Sequence, residues 1–175
     1  DFIIFATITP DYFLPGNGVL LQREMGFKTI GALDIRNACS GFIYALSIAD
    51  QFIKTGMYQK ILVVGAEIQS SALDKSDEGR SSAVIFADGA GATIVEGIES
   101  EEPTGIIAHS SRSDSVKFAN LLTLGESNNP DFEGDELFIK MVGHKLYIYA
   151  INTVPGLVKE SLDKAGLDLS DIKKV

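Results

Sequence analysis

Residues 29–54 constrain the fold more than any other part of the sequence. Thr29–Ile35 is a short, apolar-rich run with the length of a buried strand. Gly41–Lys54 has helical length and no proline, with Phe42, Ile43, Ala45, Leu46, Ile48, Ala49, Phe52 and Ile53 spread around most of its circumference. That content predicts a helix buried nearly all round, stopped at Gly56. Between strand and helix lie Asn37, Ala38, Cys39, Ser40 and Gly41, all small or polar, and Cys39 is the only cysteine of the chain. A side chain at such a junction points at the mouth of the following helix. There the unpaired N–H groups and the positive end of the dipole favour negative charge. A thiol in that setting is driven toward thiolate, the nucleophilic form. A lone cysteine is also commonly a small buried hydrophobe, and the residues alone leave both readings open.

The remaining patterning is that of an α/β protein. Phe2–Ala6 is a continuous apolar run, as in a strand covered on both faces. Thr9-Pro10-Asp11 breaks it, Pro15–Gly18 starts a turn, and Val19–Met25 is a short helix candidate with Gly26 as its C-cap. Lys60–Ala66 reads as the next buried strand and Ile68–Ser82 as an exposed loop. Ala83–Ala87 and Ala92–Glu96 read as two strands of a hairpin joined by Asp88-Gly89-Ala90-Gly91. Gly105–Ser110 is a further strand candidate. Arg112–Asp135 is loop-rich, with turn signals at Asn128-Asn129-Pro130 and Glu133-Gly134-Asp135. Phe138–Met141 is short and apolar. Two helices follow, Gly143–Asn152 and Pro155–Ala165, with Thr153 as a cap and Gly166 as the stop.

An apolar fraction of 45% and a mean hydropathy of +0.15 suit a well-buried globular protein. No apolar run approaches the roughly 20 residues that span a bilayer, so no membrane segment is expected. A net charge of −9 argues against nucleic acid as partner. One cysteine permits no internal disulfide, which suits a reducing cytoplasm. Two scattered histidines and one cysteine do not compose a metal site.

Asn37-Ala38-Cys39-Ser40-Gly41-Phe42, followed by Tyr44-Ala45-Leu46 and Ala49-Asp50-Gln51, resembles the active-site segment of β-ketoacyl-acyl-carrier-protein synthase III, a condensing enzyme of the thiolase-like superfamily. Ala6-Thr7 with Leu14-Pro15, Leu62–Gly65, and Phe86–Ala92 agree in order and spacing. The resemblance implies a layered α-β-α-β-α architecture, incomplete in this chain. About residues 1–98 would form the nucleophile-bearing half, and about 99–175 the connection and the start of the second half.

The resemblance also implies the site. Cys39 would be the acylated nucleophile. Arg80, six residues before Phe86, would contact the nucleotide end of coenzyme A, although its neighbours depart from the family pattern and two extra residues precede it. Leu14 would close the acyl pocket of a neighbouring subunit in a homodimer, and Phe86 would wall that pocket. Met141, Gly143 and Tyr147 would line the pantetheine tunnel. The family's catalytic histidine and asparagine fall beyond Val175, and neither His109 nor His144 matches them. Asp1 opens directly into an apolar strand and the family continues into a core strand after Val175. The expectation is therefore a middle portion of a longer protein, inactive in condensation by itself.

The implied reaction joins a short acyl-CoA, through acyl-Cys39, to malonyl-acyl-carrier protein, with no cofactor and no metal. The acidic net charge requires a local basic patch for a carrier partner, which is usually acidic itself. Related acyltransferases, of the thiolase, hydroxymethylglutaryl-CoA synthase or polyketide-starter type, are the alternative within the superfamily. A different class is a nucleotide-binding module in which Asp88–Gly91 cradles phosphate, as in somewhat similar Asp-Gly-x-Gly-x-Thr loops of actin-like ATPases and sugar kinases.

Overall fold

A computed structural model describes residues 1–116, 118–125 and 138–174. The turn signals at Asn128–Pro130 and Glu133–Asp135 lie outside the described residues. The chain divides into two compact units: Asp1–Gln69 with Ala87–Thr104, and Ser70–Phe86 with Gly105–Val175. Ser70–Phe86, within the stretch read as the nucleophile-bearing half, groups with the C-terminal residues.

The first unit is a four-stranded sheet. Strands β1 (Phe2–Ala6), β2 (Gly31–Ile35) and β3 (Lys60–Glu67) run parallel, β4 (Gly89–Glu96) runs antiparallel to β3, and the order is β2-β1-β3-β4. Central β1 is covered on both faces, by α2 (Gly41–Lys54) on one and α1 (Asn17–Glu24) on the other, which is why its sequence is apolar without alternation. Register sets Phe2, Ile4 and Ala6 on one face beside Ile61, Val63 and Gly65, and Ile3 and Phe5 on the other beside Leu62 and Val64. Helix α2 (Gly41–Lys54) covers the first face, where Ile4, Ala45, Ala49, Ile61 and Val63 form a fully buried cluster. Phe2, Phe52 and Tyr58 close its lower end with ring centroids 4.6–5.6 Å apart.

Helix α1 (Asn17–Glu24) meets the opposite face. A methyl group on Gly18 would come within 3.2 Å of the Ala32 side chain and 3.8 Å of Ile3. The Asp34 carboxylate, at the end of β2, accepts hydrogen bonds from the N–H groups of Asn17 (2.6 Å) and Gly18 (2.9 Å) and so caps α1 from another element.

Residues Gln69–Ala72, which begin at the last residue of the first unit's N-terminal segment, and Arg80–Ala83 of the second unit are single helical turns, the latter labelled α3. Strands β5 (Leu122–Thr123) and β6 (Lys140–Met141) form a small antiparallel ladder, and α4 spans Gly143–Ala165. Gly166, with φ of 68°, closes α4 in the left-handed conformation. Among the described residues no helix is long and apolar enough to cross a membrane.

Several expectations need correction. Helix α2 is buried on one face only, along Gly41, Ala45 and Ala49 with Asp50, and Ile43 is 53% exposed. A single sheet can cover only the stripe that recurs every three to four residues. Residues 68–82 are not simply an exposed loop, since Gln69, Ala72 and Ser82 are buried. Ala83–Ala87 is no strand and Asp88–Gly91 no hairpin tip; Gly89, Ala90 and Gly91 sit inside β4, opposite Glu67, Ala66 and Gly65. Their partner is a strand some 25 residues upstream, so local turn signals misled. Gly105–Ser110 is not a strand in the structure. Finally, the two C-terminal helices are one, running through Pro155. A proline forgoes one i→i−4 bond and crowds the turn behind it. Thr153 lies within the span of α4 and is helical interior rather than a cap.

Candidate active site around Cys39

The site begins where β2 ends. Ala38–Ser40 forms a 3-10 turn leading straight into α2. Asn37 and Ser40 tie the turn together: Ser40 Oγ donates to the Asn37 carbonyl (2.9 Å), and Asn37 Nδ2 donates to Ser40 Oγ (3.1 Å). Ala38 enters the turn with φ of +48°, in the left-handed region that a side chain disfavours. Local strain of this kind persists only where surrounding structure imposes it, and it clusters at functional positions. Here it turns the chain sharply, and the Cys39 thiol is exposed at the mouth of α2.

Two close approaches seat that mouth on the sheet. A methyl group on Gly41 would lie 3.1 Å from the Ala6 side chain, and one on Gly65 would lie 3.1 Å from the Phe42 ring. Small residues at the carboxyl ends of β1 and β3 therefore let the first turn of α2 press against the strands. This is the end at which ligands bind in parallel α/β sheets.

An open hollow of about 340 Å³ lies there, lined by Cys39, Ala38 and Phe42, by Ala6 and Ile8, by Gly65–Glu67 and Gln69, and by Gly89–Gly91. The glycines read as a phosphate cradle thus form one wall of the cysteine's hollow. Their backbone pairs with β3 in the β3–β4 ladder, which does not favour the nucleotide-loop reading. Glu67 braces the floor. Its carboxylate accepts from the Ile8 N–H (3.0 Å) and the Thr9 hydroxyl (2.8 Å), with Thr7 Oγ1 at 3.4 Å, and Thr9 Oγ1 accepts from the Ile68 N–H (2.8 Å).

Among the expected site residues, the first unit holds Cys39 and Leu14. Leu14 is 88% exposed in the β1–α1 loop, beside Phe13 at 86% and Tyr12 at 62%. The second unit holds the rest. Arg80 opens α3 with its side chain 74% exposed and ion-paired to Asp77. Hydrogen bonds from Ser76 hold the neighbouring Asp74 and Glu78 carboxyls below their ordinary range. Phe86 is half-buried, and Tyr147 is exposed on α4. Met141 and Gly143 are neighbours in space, a Gly143 methyl group falling 3.3 Å from Met141 Cε. His144 is exposed in the first turn of α4, and the His109 carbonyl accepts from Lys164 Nζ (3.4 Å). Among the described residues no cluster of three His, Cys, Asp or Glu side chains could hold a metal.

Sequence reasoning missed Ala38, Glu67 and Gln69. Alanine carries no sequence signal for a left-handed backbone, Glu67 acts on residues nearly 60 positions away, and the burial of Gln69 depends on tertiary packing.

Solved structures share this architecture. The 3-oxoacyl-[acyl-carrier-protein] synthase III of Aquifex aeolicus matches with a TM-score of 0.85 and 38% identity over 98% of this chain and 51% of its own. The Thermus thermophilus β-ketoacyl-[acyl-carrier-protein] synthase III matches with a TM-score of 0.86 and 33% identity over 98% and 52%. The fold is thiolase-like. The family model of 3-oxoacyl-[acyl-carrier-protein] synthase III matches residues 33–115. The Streptococcus pneumoniae β-ketoacyl-[acyl-carrier-protein] synthase III is 40% identical over 98% of this chain and 52% of its own length. The chain is a relative of the β-ketoacyl-acyl-carrier-protein synthases III, and it spans about half the length of the relatives it matches.

Proposed function

We propose that the protein is an acyltransferase that starts fatty-acid synthesis by condensing a short acyl-CoA with malonyl-acyl-carrier protein. The observation that carries this reading is the exposed Cys39, presented by a left-handed Ala38 at the mouth of α2 above an open hollow. Cys39 thiolate attacks the thioester carbonyl, and the backbone N–H of Cys39 helps hold the oxyanion. The sulfur–acyl bond forms as the coenzyme's carbon–sulfur bond breaks, and coenzyme A leaves as the thiol. Malonyl-acyl-carrier protein then loses carbon dioxide, and its carbanion attacks the acyl carbon. A carbon–carbon bond forms, the Cys39–acyl bond breaks, and a 3-oxoacyl product departs.

Arg80 would hold the coenzyme's phosphates, as a planar guanidinium suits phosphate oxygens. Met141, Gly143 and Tyr147 would line the pantetheine path. Phe86, and Leu14 from a second copy in a homodimer, would bound the acyl group. The setting would be cytoplasmic. The test is to incubate the natural protein carrying this chain with acetyl-CoA and longer acyl-CoAs and map adducts by mass spectrometry. A single acyl group on Cys39, absent in Cys39→Ala, is the expected result. Acylation elsewhere, or undiminished in Cys39→Ala, overturns the reading.

A further inference from the structure

The end of β3 and the helical turn after it put two polar side chains on the Cys39 hollow, and they differ in one respect. Glu67 has its carboxylate engaged by the Ile8 N–H and the Thr9 hydroxyl. Gln69 is only 8% exposed, and its Oε1 is buried without any hydrogen-bond partner. It is the sole buried side-chain polar atom in that state among the described residues. Native proteins rarely leave such an atom unpaired, and each case calls for a cause. The other residues around the hollow supply no side-chain donor for it beyond the Cys39 thiol: Ala6, Ile8, Ala38, Phe42 and the small residues of β3 and β4 are apolar or lack a side chain.

We infer that Gln69 is a specificity-determining residue, whose amide is reserved for a hydroxyl group on the acyl chain delivered to Cys39. A hydroxyl both donates and accepts, so it satisfies the glutamine amide in either orientation. An apolar acyl chain in the same place leaves the amide unpaired, and sites built this way discriminate against the analogue that lacks the hydroxyl. The inference rests on the acyltransferase reading. The chemical step is unchanged: the thiolate forms the acyl–sulfur bond and coenzyme A leaves.

The test compares butyryl-CoA, 3-hydroxybutyryl-CoA and 4-hydroxybutyryl-CoA as acyl donors to Cys39. Intact-mass kinetics are read on the natural protein carrying this chain, in parent and Gln69→Leu forms. One hydroxylated donor should acylate about fivefold faster than butyryl-CoA in the parent, and the ratio should fall to about one in Gln69→Leu. Iodoacetamide labelling of Cys39 should be unchanged, and Gln69→Leu should melt no lower than the parent, because it removes a buried unpaired acceptor. Equal donor ratios in the two proteins overturn the inference alone. A distinctly lower melting temperature for Gln69→Leu does so too, since it means that a resident partner such as water already satisfies the amide. Failure of all three donors to acylate Cys39 overturns the acyltransferase reading with it.

Discussion

The two compact units hold their apolar residues in opposite ways. In the first, β1, β3 and α2 bring Ile4, Ala45, Ala49, Ile61 and Val63 to zero exposure in one contiguous cluster. In the second, the 23 residues of α4 include none that is buried, and Ile148, Ile151, Val154 and Val158 stay exposed. Helix α2 is the more apolar of the two in sequence, and a partner surface widens the difference: α2 lies against a sheet whose residues match its stripe, whereas α4 makes polar side contacts. Arg112 and Lys164 both reach Glu160, and Tyr149 reaches Asp114. Cys39, the candidate nucleophile, sits on the buried-core side of this contrast, where rigid packing can hold a reactive group in place. The residues expected to contact coenzyme A sit on the other.

The largest test of the contrast is truncation of an aliphatic side chain in each unit. Ile4→Ala should cost about 2–5 kcal/mol in urea unfolding, and Ile151→Ala should stay within about 0.5 kcal/mol. Comparable losses would mean that α4 is covered in the natural protein and would erase the distinction.

Next is the brace beneath the hollow. Glu67→Ala strips the Ile8 N–H and the Thr9 hydroxyl of their acceptor and should cost about 1–3 kcal/mol, with faster hydrogen exchange at Ile8 and Ile68. Arg112→Ala, which removes an exposed pair in the second unit, should leave the unfolding midpoint where it is. Unchanged exchange at Ile8 in Glu67→Ala would remove Glu67 from its bracing role.

A smaller effect is expected at Ala38. Ala38→Gly relieves the left-handed strain and should hold or raise the melting temperature, whereas Ala38→Val should lose about 1 kcal/mol. If both variants melt together, the turn before Cys39 is not under strain.

Arg80→Ala should weaken coenzyme A binding by about two- to fivefold, measured by calorimetry, as befits an exposed pair. Asp77→Asn, which frees the guanidinium, should tighten it. Opposite signs would place the phosphates elsewhere.

The smallest effect concerns pH. Hydrogen bonds from Lys164, then Arg112, hold the Glu160 carboxyl below its ordinary value of 4.5. A depressed folded-state pKa stabilises above the unfolded value and is lost as pH falls through the folded one. The protection of α4 amides that Glu160→Gln lacks should therefore be present at pH 6 and gone by pH 3. A difference that persists at pH 3 would exclude the Glu160 carboxylate as its source.

Periodicity and composition alone determined the β1 and β3 strands, the βα junction at Cys39 and the glycine stops at Gly26, Gly56 and Gly166. Each rests on forces acting within a few residues, namely apolar runs, helix length and the freedom of glycine at positive φ. The motif around Asn37–Phe42 singled out Cys39 as the candidate nucleophile for the same reason, because its signal is written in neighbouring residues. Tertiary structure decided the rest. Gly89 and Gly91 carry the same local signal as a hairpin tip, and only pairing with β3 makes them strand. Pro155 reads as a helix boundary, yet the helix continues past it. Asp34 caps a helix that begins 17 residues earlier, Glu67 clamps residues nearly 60 positions away, and Gln69 is left with an unpaired buried oxygen. Such pairings depend on which strands lie side by side, and no local stretch of sequence encodes that.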